Sequence, residues 1–325
     1  MISQIGPLLR MPVITEPVPI FLTVMAIILV TPLLLNRLKI PHVIGLIIAG
    51  IAVGPYGFAL LDRDMSFEVF GQVGILYLMF LAGIEIDMYH LKKNLPKGLV
   101  FGAFTFFIPL ILGAVAAIAI LGMRLPEATL LASMFAAHTL LAYPIVARFG
   151  VTRSPAVIIA IAGTIVAVLG SLIVLAGVVG VVRDGSVSSL LRVLISLVVY
   201  CAVIYYVYPR LTRYFFKKYH DGIQQFIYIM VMVFFAAAVA SWIGLEGVFG
   251  AFFAGLVLNS FIPGRSTLMG RLEFVGNAIF IPYFLIGVGM LIDVNVVTHG
   301  WDTLYIAAVM SAVAMFTKWL AAMVT

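Results

Sequence analysis

Long apolar runs, parted by short polar breaks, fill this chain from end to end. Each run holds about 20 mostly apolar residues, the length a helix needs to cross a bilayer. Eleven are legible, at 18–36, 41–61, 67–87, 98–122, 127–149, 155–183, 189–208, 223–243, 245–262, 275–292 and 303–325. The second and ninth carry glycines and are expected to be irregular, and the sixth is long enough to tilt. The first seventeen residues hold Pro7, Pro12 and Pro17 and no long apolar run. They read as a segment outside the membrane without a cleavable leader.

Composition removes the alternative of two soluble domains, which 325 residues would allow. Hydrophobic residues make up 64% and charged residues 10%, and the mean hydropathy is +1.22. So few charges cannot cover so much apolar surface in water. The expected class is an all-α polytopic membrane protein. A single cysteine, Cys201, excludes an intramolecular disulfide and a zinc–cysteine site.

The net charge of +6 gains meaning from its distribution. The breaks after odd-numbered runs hold Arg37, Lys39, Lys92, Lys93, Lys97, Arg148, Arg153, Arg210, Arg213, Lys217, Lys218, Arg265 and Arg271. The opposite side holds Arg10, Arg63, Arg124, Arg183 and Arg192. Thirteen against five places the odd breaks in the cytoplasm and the N-terminus outside. The basic balance then needs no nucleic acid.

The chain also repeats itself. Val43-Ile44-Gly45 through Ala49-Gly50-Ile51 matches Val248-Phe249-Gly250 through Ala254-Gly255-Leu256. Gly83-Ile84-Glu85-Ile86-Asp87 matches Gly289-Met290-Leu291-Ile292-Asp293. Both pairs share an offset of about 205 residues, which carries the second run onto the ninth and the third onto the tenth. A shift of seven helices is odd, so the copies are expected to have opposite topology, as in transporters. The chain divides accordingly into segment 1–17, a first repeat 18–183, a linker helix with a basic cytoplasmic loop 184–222, and an incomplete second repeat 223–325. Partners of the fifth and sixth runs would fall near 333–389, so eleven of thirteen expected helices are present. A truncated chain or a natural protein short of two spans would explain this.

The same residues carry a family likeness. Pro41-His42-Val43-Ile44-Gly45 through Gly54-Pro55-Tyr56-Gly57 resembles the second helix of monovalent cation:proton antiporters of the Kef potassium-efflux type. Phe80-Leu81-Ala82-Gly83-Ile84-Glu85-Ile86-Asp87 is similar to that family's third-helix motif, and the stretch from Phe284 to Asp293 to a later one. The resemblance covers about residues 18–325. It implies an inverted-repeat sodium/proton antiporter-like fold and a homodimer in a bacterial inner membrane. The activity implied is exchange of sodium or potassium for protons, without a cofactor. A degenerate, non-transporting relative acting as a membrane partner or sensor is the alternative.

The resemblance also implies where the chemistry sits. The family's ion-binding Asp lies in the sixth helix, preceded by a polar residue. Aligning on Gly163-Thr164 puts Val168 at the acidic position and Ala167 before it, and no acid occurs between Glu127 and Asp184. This departure puts ordinary coupled antiport in doubt. In the family a lysine in a late helix often pairs with that Asp, and Lys318 matches it. Lys318 lies about 22 Å into the last run. Pairing at the site and snorkelling toward the cytoplasmic face both remain open.

His138, Thr139 and Tyr143 lie along the fifth run, where the family's helix is unwound. Pro144 removes the helical bond to the carbonyl of Leu140 there. His138 titrates near neutral pH in ordinary surroundings and is a candidate proton carrier, with Thr139, Tyr143 and Thr164 along the ion path. Glu85, Asp87 and Asp293 read as structural polar groups at helix ends. Asn259 and Asn277 read as bonds between helices. The cluster Arg213-Tyr214-Phe215-Phe216-Lys217-Lys218 reads as an interfacial anchor between the two halves that is suited to contact anionic lipid. No nucleophile triad, metal-ligand cluster or phosphate loop appears in the sequence, so no enzyme and no metal site is expected.

Overall fold

In the computed structural model, residues 14–37, 41–86, 88–136, 154–183, 188–294 and 301–325 are described. Among them the chain is helical apart from short links and an isolated bridge between Ile14 and Leu61. Among the described residues, eight helices are long and apolar enough to span a bilayer, and three shorter apolar ones lie at 42–53, 125–136 and 247–261. Together these eleven fall on the eleven predicted runs.

The helices are α1 (Pro17–Arg37), α2 (His42–Val53), α3 (Met65–Glu85), α4 (Met88–Leu121), α5 (Leu125–Ala136) and α6 (Pro155–Arg183). They continue with α7 (Ser188–Lys218), α8 (Gly222–Trp242), α9 (Gly247–Leu258), α10 (Thr267–Val275), α11 (Ile281–Met290) and α12 (Trp301–Val324). A π-helical turn, Gly276–Phe280, joins α10 to α11 within one long span.

Two of the boundaries that differ from the hydropathy reading have a clear physical cause. The second run was expected to continue to residue 61, but α2 stops at Val53. Gly54 is extended, and the following Pro55 disfavours a helical conformation before it. The chain then folds back through bonds from Phe58 N–H to Ala52 O and from Leu60 N–H to Val53 O. The second difference is the basic loop expected within 184–222. Its residues Pro209 to Lys218 are the last turns of α7. Pro209 removes one N–H donor, yet the helix continues because it is docked along α8. Tyr208 donates to Met232 O, Thr212 meets the Tyr228 hydroxyl, and the Phe215 ring stacks on Tyr228 at 4.1 Å.

The chain forms two compact units, Met1–Leu78 with Met269–Thr303, and Met79–Leu268 with Leu304–Thr325. In the first, α2 packs against α11 without room for side chains at the crossing. A Cβ on Gly50 would strike the carbonyl oxygen of Ile286, and one on Gly289 that of Ile47. Tyr77 stacks on Phe280 and donates to Leu272 O at 3.0 Å. In the second unit, Gly83 lies against the carbonyl of Phe252 and Gly255 against that of Phe80. These are the repeat-related positions, shifted by 205 or 206, making the same backbone contact within each unit. Small residues at a crossing let two helix backbones approach closely, which is how helices associate in lipid. Also in the second unit, Gly98, Gly102 and Gly163 seat α4 along α6.

Candidate functional site

The site grows from four helices of the second unit. Ala136 on α5, Phe106 on α4 and Ala167 on α6 form one buried cluster. Ala167 is fully buried and makes an apolar packing contact. Val168 beside it is half-buried and brings no carboxylate. Around this cluster lie hydroxyls that serve their own helices. Thr164 donates to Ala160 O at 2.9 Å, Thr105 to Phe101 O at 2.8 Å and Ser133 to Leu130 O at 2.7 Å. Such back-bonding keeps a hydroxyl satisfied inside an apolar helix. Ser171 differs, because it reaches across from α6 to the carbonyl of Ser133 on α5 at 3.2 Å.

Lys318 enters from α12. Its ammonium donates to Ala136 O at 2.8 Å and to Thr105 O at 3.4 Å. The second acceptor has a local cause. In a helix, Thr105 O would accept from the N–H of residue 109, and Pro109 has none. The lysine therefore meets a carbonyl that the α4 sequence has released. Thr105 and Pro109 are site residues that motif reading missed, although a proline mid-way along an apolar run was the available signal. The arrangement brings a cationic side chain and two carbonyl oxygens to the cluster that contains Ala167. A proton on Lys318 and a hard monovalent cation would compete for the same oxygen ligands.

The other predicted residues fall elsewhere. Asn259, just after α9, donates its side-chain amide to the carbonyls of Ile84 and Ile86 at the end of α3, the latter at 2.9 Å. Glu85 stands at the last position of α3, and Asp293 follows α11. Asn277 lies exposed in the π-helical turn. His138, Thr139, Tyr143 and Asp87 lie outside the described residues.

Comparison with known proteins agrees with this fold. Residues 24–325 match the family model described as sodium/hydrogen exchanger, transmembrane. The chain is 36% identical over 286 residues to the Na(+)/H(+) antiporter NhaS5 of Synechocystis, covering 87% of this chain and 40% of that protein. It is 28% identical over 304 residues to the probable Na(+)/H(+) antiporter 3 of Methanocaldococcus jannaschii, covering 91% of this chain and 77% of the relative. It is 23% identical over 313 residues to the K(+)/H(+) antiporter 1 of Saccharomyces cerevisiae, covering 87% and 36%. Among solved structures, the sodium proton antiporter MjNhaP1 of Methanocaldococcus jannaschii at pH 8 superposes with a TM-score of 0.64 at 16% identity. That match covers 94% of this chain and 76% of the other. With residues 24–325 of 325 matched to the family model, this helical membrane chain belongs to the transmembrane sodium/hydrogen exchanger family.

Proposed function

We propose that the chain exchanges a monovalent cation, sodium or potassium, for protons, with Lys318 as a proton carrier. The observation that carries this reading is the contact of the Lys318 ammonium with Ala136 O and Thr105 O. Loss of the lysine proton removes one positive charge and leaves two oxygen ligands for the incoming cation, so the site's charge is conserved through the exchange. Relatives named for sodium/proton and for potassium/proton antiport support the substrate class and leave the choice between the two ions to experiment. His138, Thr139 and Tyr143 are candidates for the remaining ligands. The reading carries with it a transporter rather than an enzyme, opposite topology of the two repeats, and a homodimer. It also carries an inner-membrane location with the N-terminus outside.

A second reading rests on Val168 and Ala167. An apolar pair where the family resemblance places a polar–acidic pair favours a relative that has lost tight coupling and serves as a membrane partner or sensor.

Proteoliposomes with an entrapped pH dye separate the two. The expected result is acidification of the lumen when sodium or potassium leaves along its gradient and protons enter in exchange, lost in Lys318→Met. Exchange that persists with Lys318→Met and His138→Ala together would overturn the first reading. No exchange by the wild-type chain, with exchange gained by Val168→Asp, would establish the second.

A further inference from the structure

A groove of about 560 Å3 opens between the C-terminal half of α7 and the end of α9, within the second unit. Its lining includes Arg210 and Arg213, the rings of Tyr205 and Tyr206, Phe253 and the exposed Ser260. Among these and the other described lining residues, two carry positive charge and none is acidic. Arg210 is held in place: its Nη1 donates to Tyr206 O, and its guanidinium stands 5.9 Å from the centre of the Tyr206 ring. The two tyrosine rings meet edge to face at 5.3 Å. A guanidinium keeps several N–H donors after one bond is made, in a fork that suits phosphate oxygens.

The helix face leading to the groove has its own pattern. Val199, Val203, Tyr206, Arg210 and Arg213 follow one another at spacings of four, three, four and three. That spacing places them on a single stripe of α7. All five are exposed in the chain. From Val199 to Arg210 the stripe rises about 16 Å, which is close to half the roughly 30 Å hydrocarbon thickness of a bilayer. One leaflet's acyl chain would lie along the valines, where its headgroup meets the arginines and the hydroxyls of Tyr205, Tyr206 and Ser260.

We infer that this groove binds one anionic phospholipid, its phosphodiester held by Arg210 and Arg213 and its acyl chain lying on the Val199–Val203 stripe. The apolar track and the cationic end together fit an amphiphile, which a soluble anion would match at one end only. Lys318 is not among the groove's lining residues, and the assignment does not rest on the exchange reaction.

The test uses the whole chain, purified in a neutral detergent and titrated with dioleoyl phosphatidylglycerol, dioleoyl phosphatidylcholine or glycerol 3-phosphate. Bound lipid is counted by native mass spectrometry. Wild type should retain one phosphatidylglycerol in preference to phosphatidylcholine. Retention should fall by about tenfold or more in Arg210→Gln/Arg213→Gln, the scale expected when two basic groups leave a lipid headgroup. Arg265→Gln/Arg271→Gln removes the same charge from outside the groove and should change retention less than about twofold. Arg213→Gln alone spares the Arg210 contact and should give a partial loss, and size-exclusion profiles report whether each variant is folded. Equal loss in both double variants, retention unchanged in Arg210→Gln/Arg213→Gln, or equal binding of glycerol 3-phosphate would overturn the assignment.

Discussion

The Nζ of Lys318 lies 2.8 Å from the carbonyl oxygen of Ala136, the last residue of α5. A charged group inside the bilayer is costly unless it meets polar partners, and partners of this kind mark functional sites by default. Here helix backbones supply them, one through a proline that frees its carbonyl. The site thus needs tertiary packing of α4, α5 and α12 before it exists at all.

That dependence gives a double-mutant prediction. Lys318→Met should lower stability, because it takes a donor from Thr105 O, and an unmade buried bond costs about 1–3 kcal/mol. Pro109→Ala restores an N–H that can take the same carbonyl. The pair should therefore be less destabilised than the sum of the single changes. Thermal unfolding in one detergent measures all four proteins, and strict additivity would contradict the shared acceptor.

At the crossing of α9 with α3, Gly255→Ala should destabilise by about 1–3 kcal/mol, since its Cβ meets the Phe80 carbonyl. Gly50→Ala should do the same against the Ile286 carbonyl in the other unit. Gly71 has open space where its Cβ would go. Gly71→Ala should be neutral or stabilise by about 0.5–1 kcal/mol through helix propensity. Unfolding midpoints that failed to separate these variants would contradict the crossings.

Asn259 donates to two carbonyls at the end of α3, so the donor matters and the shape alone does not. Asn259→Ala should cost about 1–3 kcal/mol. Asn259→Asp, which offers acceptors in place of the amide donors, should do no better than alanine. A stable Asp variant in the same melting assay would show that these bonds contribute little.

Tyr219 lies between α7 and α8, beside the basic residues that set the orientation. In a Cys201→Ser background, a cysteine at position 219 should react with a membrane-impermeant maleimide only after the cells are opened. Labelling of intact cells would reverse the sidedness inferred from the lysine and arginine distribution.

How far such features could be read in advance varies with their physical origin. Val53 as the end of α2 was within reach, because Gly54-Pro55 is a local stop. The hydropathy of 41–61 outweighed it, since a turn lined with Ala59, Leu60 and Leu61 is as apolar as a helix. The helical state of Arg210–Lys218 was not within reach. Pro209 and four basic residues argue for a loop until Tyr208, Thr212 and Phe215 find partners on α8.

The sequence by itself placed the apolar helices among the described residues, because apolar length is a property each segment carries alone in a bilayer. It also marked Gly50, Gly83, Gly255 and Gly289 as two copies of one pattern, while packing decided which backbone each one meets. What only the tertiary structure decided is where Lys318 sends its charge. Nothing local to α12 distinguishes a lysine that runs outward from one that turns inward. The choice depends on carbonyls at residues 105 and 136, more than 180 positions away, which become its acceptors only when α4 and α5 pack beside it.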